Sequence, residues 1–299
     1  MSSSTTQDAR TYALALAGRQ FAQIQAHEAG TRLGEDPAEL HDMRVAIRRL
    51  RTLLQVFAEV LPWSLVAQAE ELRRMSVILG AVRDYDTQIV PLRSRLDATH
   101  ADGGEDVAAL NRLICALEQR REFARRQMLD ALSSLRYRQL TGAIEVALKL
   151  DAPADAEGTA IDEWAAPAIP KAYSRFHRKA KKVEASSPAE ALHSLRKRAK
   201  RLRYTVEFVH EMYGKPGKRL LNTLEALQDL LGEHQDCVAS IPRLQDLALD
   251  ESAGLTREAV LLTGRLIAEK DHRMEELRSQ LAGTLSRVEK NWKPLHGRR

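Results

Sequence analysis

The stretch LHDMRVAIRRLRTLLQVF, Leu40–Phe57, sets four arginines and a histidine among leucines, valines, a methionine, an isoleucine and a phenylalanine. At about 100° per residue, Leu53, Phe57, Leu50, Met43, Leu54 and Ile47 fall between roughly 120° and 240° from His41. Arg44, Arg48 and Arg51 fall within about 80° of His41 on the other side, and Arg49 alone sits on the far flank. The segment is therefore an amphipathic helix with two separate stripes, a core face and a ridge of positive charge.

A second segment, LHSLRKRAKRLRYTVEFV, Leu192–Val209, repeats the first at an offset of 152 residues. It places His193, Arg196, Lys200 and Arg203 on the same ridge, with Lys197 and Tyr204 widening it. The same offset carries LGAVRD (Leu79–Asp84) onto LGEHQD (Leu231–Asp236), and upstream it carries Tyr12 onto Trp164, Phe21 onto Tyr173 and Ile24 onto Phe176. A constant offset over more than seventy residues implies internal duplication of a unit of about 150 residues. The expected organisation is a first half over 8–150, a small polar joint over 151–160 and a second half over 161–295.

Composition fits helices. Hydrophobic residues make up 44% and aromatics 5%, and no run of alternating β-branched residues reads as a strand. The expected class is all-α: two similar helical bundles of four-helix type, related by a pseudo-twofold axis around a basic groove. Each half is expected to open with a long helix (8–31 and 161–184) followed by the basic helix (38–60 and 189–212). Asp36-Pro37 and Ser187-Pro188 are expected to start the basic helices as a capping residue and a proline at the first helical position. A third helix is expected to end at each Leu-Gly pair, with a fourth starting near Asp84 or Asp236. A long helix (105–133 and 256–283) and a shorter terminal one complete each half. ATHADGGED (98–106), ALDESAGLT (248–256), LPWS (61–64) and MYGKPGK (212–218) read as breaks.

The net charge is only +5, yet Lys171–Arg203 holds twelve Lys or Arg against two Glu, which leaves the remainder acidic. Such concentration suits a polyanion. Cys115 and Cys237 show no CxxC spacing, so no disulfide framework is expected and a reducing compartment fits. No apolar run approaches the ~20 residues that span a bilayer, and the N-terminus lacks the order of a signal peptide. The expectation is a soluble cytoplasmic protein without a membrane partner.

Charge runs on helices are ordinarily solvated faces, but such faces mix acids with bases at i,i+4. Between His41 and Arg51, and between His193 and Arg203, no acid lies on the ridge; Asp42 lies off it. Like charges stacked this way repel by a few tenths of a kcal/mol per pair, a cost that a bound anion relieves. Arginine's planar fork suits phosphate.

The pattern H-x-x-R-x-x-x-[RK]-R-x-R, present twice and each time followed by LG-x-x-x-D, resembles the CHAD family (conserved histidine α-helical domain). SSLRYRQL at Ser133 and NWKPL at Asn291 resemble that family's closing helices. The resemblance covers residues 8 to 295. It implies two four-helix subdomains around a basic cavity and binding of inorganic polyphosphate, and it suggests location on polyphosphate granules; no cofactor is expected. The residues carried over are His41, Arg44, Arg48, Arg49 and Arg51, with His193, Arg196, Lys200, Arg201 and Arg203. Lys197, standing where the first half has Val45, joins them. Secondary candidates are Arg19, Arg121, Arg125, Arg126, Lys171, Arg175, Arg178, Lys179, Lys182 and Tyr204; snorkelling surface residues give the same spacing.

Two rival readings stay open. A metal-dependent phosphohydrolase would use the repeated His41, His193, His234, Asp84, Asp86 and Asp236. Arginines around the first two disfavour a divalent cation, and neither HExxH, a P-loop nor the ExExK motif of triphosphate-tunnel domains is present. A general nucleic-acid binder would use the same basic helices, weakly and with strong salt dependence. No helix-turn-helix, zinc-finger or RNP-like signature accompanies them. Catalytic and metal-ligating residues are therefore expected to be none.

Overall fold

The computed structural model describes residues 7–102, 106–150 and 158–296, and among these the structure is all-α. Ten α-helices follow in order: α1 Ala9–Leu33, α2 Pro37–Val56, α3 Trp63–Val66, α4 Ala69–Asp102, α5 Asp106–Ser133, α6 Leu135–Leu150, α7 Ile161–Ala180, α8 Ala189–Val209, α9 Gly214–Leu249 and α10 Arg257–His296. Short 3-10 turns precede α9 and α10. The expected loop at 98–106 is in part helix, since α4 reaches Asp102, and the rest of it, 103–105, lies outside the described residues. Most of the joint, 151–157, also lies outside them.

Helix starts follow local chemistry. Gly34 adopts φ 76° and closes α1, its N–H donating to the Gly30 carbonyl at 2.8 Å. Asp36 then caps α2 by accepting from the Ala38 N–H at 2.8 Å, with Pro37 at the first helical position. In α8 the expected arrangement does not occur. Pro188 itself is the N-cap, and the Ser187 hydroxyl accepts from the Glu184 N–H in the preceding turn at 2.9 Å.

Two further expectations are corrected. The Leu-Gly pairs end no helix: α4 and α9 run unbroken through Gly80 and Gly232. Neither glycine takes the positive φ of a helix C-cap, which is confined to Gly34, Gly214 and Gly254 among the described residues. A glycine inside a helix costs about 1 kcal/mol, and burial of Met75, Leu79 and Val82 on the same α4 stripe exceeds that. Likewise α10 is one 40-residue helix; the break that separates α5 from α6 at Ser134 has no counterpart there.

The described residues form two compact units. One comprises the described residues from Arg10 to the joint together with Arg243–Leu266. The other comprises Gly158–Pro242, the described residues from Ile267 onward and those preceding Arg10. In the first, α2 buries Leu40, Met43, Ile47, Leu50, Leu54 and Phe57, a seam stepping by three and four. In the second, α8 buries Leu192, Leu195, Ala199, Leu202, Val206 and Val209 at the same spacing. The second unit also holds a ring stack of Tyr173 on Trp292, centroids 4.0 Å apart, which ties α7 to α10.

Candidate anion-binding ridges

Each ridge residue follows a core residue by one position: 40/41, 43/44, 47/48 and 50/51 in α2, and 192/193, 195/196, 199/200 and 202/203 in α8. The basic stripe therefore runs along the shoulder of the buried seam, where the neighbouring long helix passes. Arg44, Arg48, Arg49, Arg51, His193, Arg196, Lys200 and Arg201 are half-buried, and His41 and Lys197 are exposed.

In the first unit α4 is the neighbour. Arg44 donates to the Gly80 carbonyl at 3.5 Å and approaches Asp84 at 3.9 Å. Asp84 is held more closely by Arg243, at 2.7 Å. Arg83, one residue earlier, adds positive charge at His41. Burial, Arg83, Arg44 and Arg48 together hold the His41 imidazole below its ordinary pKa against a smaller opposing effect of Asp42. Arg83 has only a loose partner: Asp86, 3.9 Å away, is committed to Arg121 at 2.5 Å. At the other end of the ridge, desolvation and Arg73 hold the Arg51 guanidinium below its ordinary value, with Glu70 opposing.

In the second unit α9 is the neighbour, with different chemistry. Gln235 stands at the position matching Arg83, and its Oε1 lies 2.6 Å from the His193 Nδ1. Glu225 stands at the position matching Arg73. Arg203 turns inward to it at 3.3 Å, to Gln228 at 2.9 Å and to Glu207 at 3.2 Å, and is only 6% exposed. Tyr204, a secondary candidate, is 1% exposed; its ring lies under the Arg203 guanidinium at 4.3 Å and stacks toward Phe208. The last turn of α8 thus dips into the core, which a helical wheel cannot reveal. Arg203→Ala is expected to cost about 1–3 kcal/mol by stranding its half-buried partners, whereas Arg51→Ala is expected to cost under about 1 kcal/mol. Urea unfolding of the two variants checks this.

A further cluster lies on the other flank of α8. Desolvation, Arg175 and Arg198 hold the Arg201 guanidinium below its ordinary value, so α7 and α8 share a like-charged seam. Lys171 and Arg178 are exposed on α7, Lys182 is exposed just beyond its end, and Lys179 is half-buried. Among the first-unit secondary candidates, Arg19 and Arg126 are exposed. Arg121 is the partner of Asp86, and Arg125 donates to the Arg32 and Leu33 carbonyls at 2.8 and 2.7 Å, closing the end of α1.

The repeated histidines and acids do not converge. His234 is 2% exposed in α9, its imidazole held below the ordinary range by burial and then by Arg278. Asp84 and Asp86 are engaged by arginines. Among the described residues no group of three His, Cys, Asp or Glu side chains is gathered to hold a metal ion, and no helix is long and apolar enough to cross a membrane.

Arg83, Gln235 and Arg243 are neighbours of the ridges or of Asp84 that the sequence alone does not bring forward. The constant offset already aligned Arg83 with Gln235, but LGAVRD was read as a helix end, and a residue beyond a helix end does not face a ridge.

Comparison with known proteins identifies the family and the fold. The model of the CHAD domain matches residues 15–245. The CHAD domain from the plant Ricinus communis, known from a crystal structure, is 28% identical, with a TM-score of 0.73 over 93% of this chain and 92% of that one. PptA from Streptomyces chartreusis shares the fold, with a TM-score of 0.66 at 18% identity over 96% of this chain and 100% of that one. The uncharacterised proteins MT2285 and Rv2226 of Mycobacterium tuberculosis are each 30% identical over 259 residues, which is 84% of this chain and 48% of theirs. The chain thus spans about half the length of these curated relatives. With the family model matched across most of its length and both basic helices inside the match, this chain belongs to the CHAD domain family.

Proposed function

We propose that this chain is a non-catalytic binding protein for inorganic polyphosphate, which is held by the α2 ridge in one unit and the α8 ridge in the other. The observation that carries this reading is the crowding of half-buried cations. At the half-buried Arg51 beside Arg73 and Arg201 beside Arg175 and Arg198, burial first and like charge second oppose protonation, and Arg83 adds like charge at the exposed His41. A chain of phosphates, with about one charge per residue and neither base nor sugar, relieves that repulsion through bidentate contacts to arginine. Single-strand nucleic-acid binders add aromatic stacking platforms. Here Tyr204 is in the core, and Tyr173 is stacked on Trp292. The engagement of Asp84 and Asp86 by arginines supports binding without hydrolysis.

The constant offset of 152 residues and the matched burial along α2 and α8 support descent of the two halves, 8–150 and 161–295, from one duplicated unit. The exposed cations of α7 are the place where other polyanions would add weak, salt-sensitive binding.

The test is a titration with long-chain polyphosphate at about 150 mM salt, beside single-stranded RNA and duplex DNA at equal phosphate concentration. The expected result is tight polyphosphate binding that survives competition, with the polymer recovered at its original length. Equal binding of all three would make the ridges a general polyanion surface. Shortened polymer would make the protein a hydrolase.

A further inference from the structure

In each unit one long helix passes the ridge, and the two passages share a register. A guanidinium nitrogen of Arg44 stands 3.9 Å from where a Cβ on Gly80 of α4 would lie, and one of Arg196 stands 3.9 Å from the matching point on Gly232 of α9. Residues three on and seven back from such a glycine return to the same face of its helix. In the second unit that count sets Gln235 opposite His193 and Glu225 opposite Arg203, and both pairs touch, at 2.6 Å and 3.3 Å. In the first unit it sets Arg83 opposite His41 and Arg73 opposite Arg51. These are the two α4 cations whose charge reaches the ends of the α2 ridge.

The same two positions therefore carry opposite chemistry. On α9 they are acceptors that close on the ridge. Arg203 is held by Glu225, by Gln228 at 2.9 Å and by Glu207 at 3.2 Å, and is 6% exposed. On α4 they are guanidinium groups, which have donors and no acceptor, so Arg51 and Arg73 cannot close on each other. Their own acids hold them lightly. Arg73 pairs with Glu70 at 2.6 Å on the surface, three residues away on the same helix, an arrangement that salt screens. Arg83 stands 3.9 Å from Asp86, which is committed to Arg121 at 2.5 Å.

We propose that Arg73 and Arg83 of α4 are further phosphate-binding residues, so that the first unit grips the anion from two helices, while Gln235 and Glu225 of α9 close the same positions of the second unit against it. The inference deepens the polyphosphate reading and rests on it. A phosphate beside Arg51 accepts from α2 and α4 together and draws Arg73 off Glu70. A phosphate beside Arg203 would have to displace three side chains and leave two carboxylates facing the ligand. The first unit is thus the stronger half of the site, and a short phosphate chain settles there.

The experiment measures tripolyphosphate affinity of the full chain across a range of salt by titration calorimetry, with circular dichroism to check the fold. Arg73→Gln combined with Arg83→Gln is expected to lower affinity about tenfold or more and to flatten the salt dependence by close to one unit per arginine. Arg93→Gln combined with Arg138→Gln removes the same charge from exposed positions of the first unit away from the ridge, and is expected to stay within about threefold of wild type. Gln235→Arg, which gives the second unit the residue of the first, is expected to raise affinity about threefold or more. Unchanged affinity in the Arg73 and Arg83 pair would overturn the proposal and leave the polyphosphate reading standing. An equal loss in the Arg93 and Arg138 pair would reduce the effect to net charge and overturn it too. So would a Gln235→Arg variant that binds no better than wild type. A wild-type protein that binds neither tripolyphosphate nor long-chain polyphosphate would overturn the polyphosphate reading itself.

Discussion

Replacing Arg44 and Arg196 together by alanine is expected to lower affinity for long-chain polyphosphate by about a hundredfold or more, with helicity unchanged. Each guanidinium offers charge-assisted hydrogen bonds to phosphate, worth roughly 1.5–3 kcal/mol apiece, so losing two removes about 3–6 kcal/mol. The salt dependence should also flatten, since each lost phosphate contact removes close to one unit of slope. The cost to the fold is small for a geometric reason. Asp84, 3.9 Å from Arg44, keeps Arg243 at 2.7 Å when Arg44 is gone. Arg196 lies alongside Gly232 on α9, the equivalent glycine of the second unit. Titration calorimetry and circular dichroism on the same sample decide the matter. If the double variant unfolds, the ridge is part of the scaffold and the site assignment falls; if it folds and binds as tightly as wild type, the phosphate contacts lie elsewhere.

What could be read before the fold was known follows from which forces are local. The α2 seam and ridge are a property of one helix, so Leu40 to Phe57 gave both, and Asp36-Pro37 named its own cap. The α8 start was misplaced by one residue because Ser187 finds a closer donor at Glu184 than in the helix it was expected to cap. The unbroken α4 and α9 were not legible, because the cost of Gly80 or Gly232 is local and the burial that outweighs it is tertiary. The same holds for the two ends of the ridge. Arg51 and Arg203 look identical on a helical wheel, yet one faces Arg73 and the other Glu225 and Gln228. Which helix passes the shoulder of the seam, and with which residues, is decided by packing between long helices. That is why Arg203 and Tyr204 belong to the core and why Arg83 and Gln235 came into view only with the structure.

Leu50→Ala and Leu202→Ala are each expected to cost about 2–5 kcal/mol of stability, against well under 1 kcal/mol for the ridge arginine Arg44. Both leucines are 0% exposed and sit at the middle of their seams, Leu50 between Ile47 and Leu54, Leu202 between Ala199 and Val206. Truncation removes the transfer free energy of three carbons and leaves a cavity lined by neighbours that long helices cannot easily bring together. In urea the midpoint should fall with the slope unchanged, since the surface exposed on unfolding is nearly the same. Polyphosphate affinity of the folded protein should stay within about threefold of wild type, because Arg51 and Arg203 each lie one residue, and about 100°, around the helix from the truncated leucine. The two classes of variant therefore separate: loss of Arg44 and Arg196 changes affinity at a nearly constant midpoint, and leucine loss changes the midpoint at nearly constant affinity. A leucine variant that keeps its midpoint would show that the seam is not where the stability resides. One that keeps its midpoint and loses affinity would show that the buried seam, rather than the charged shoulder beside it, carries the ligand.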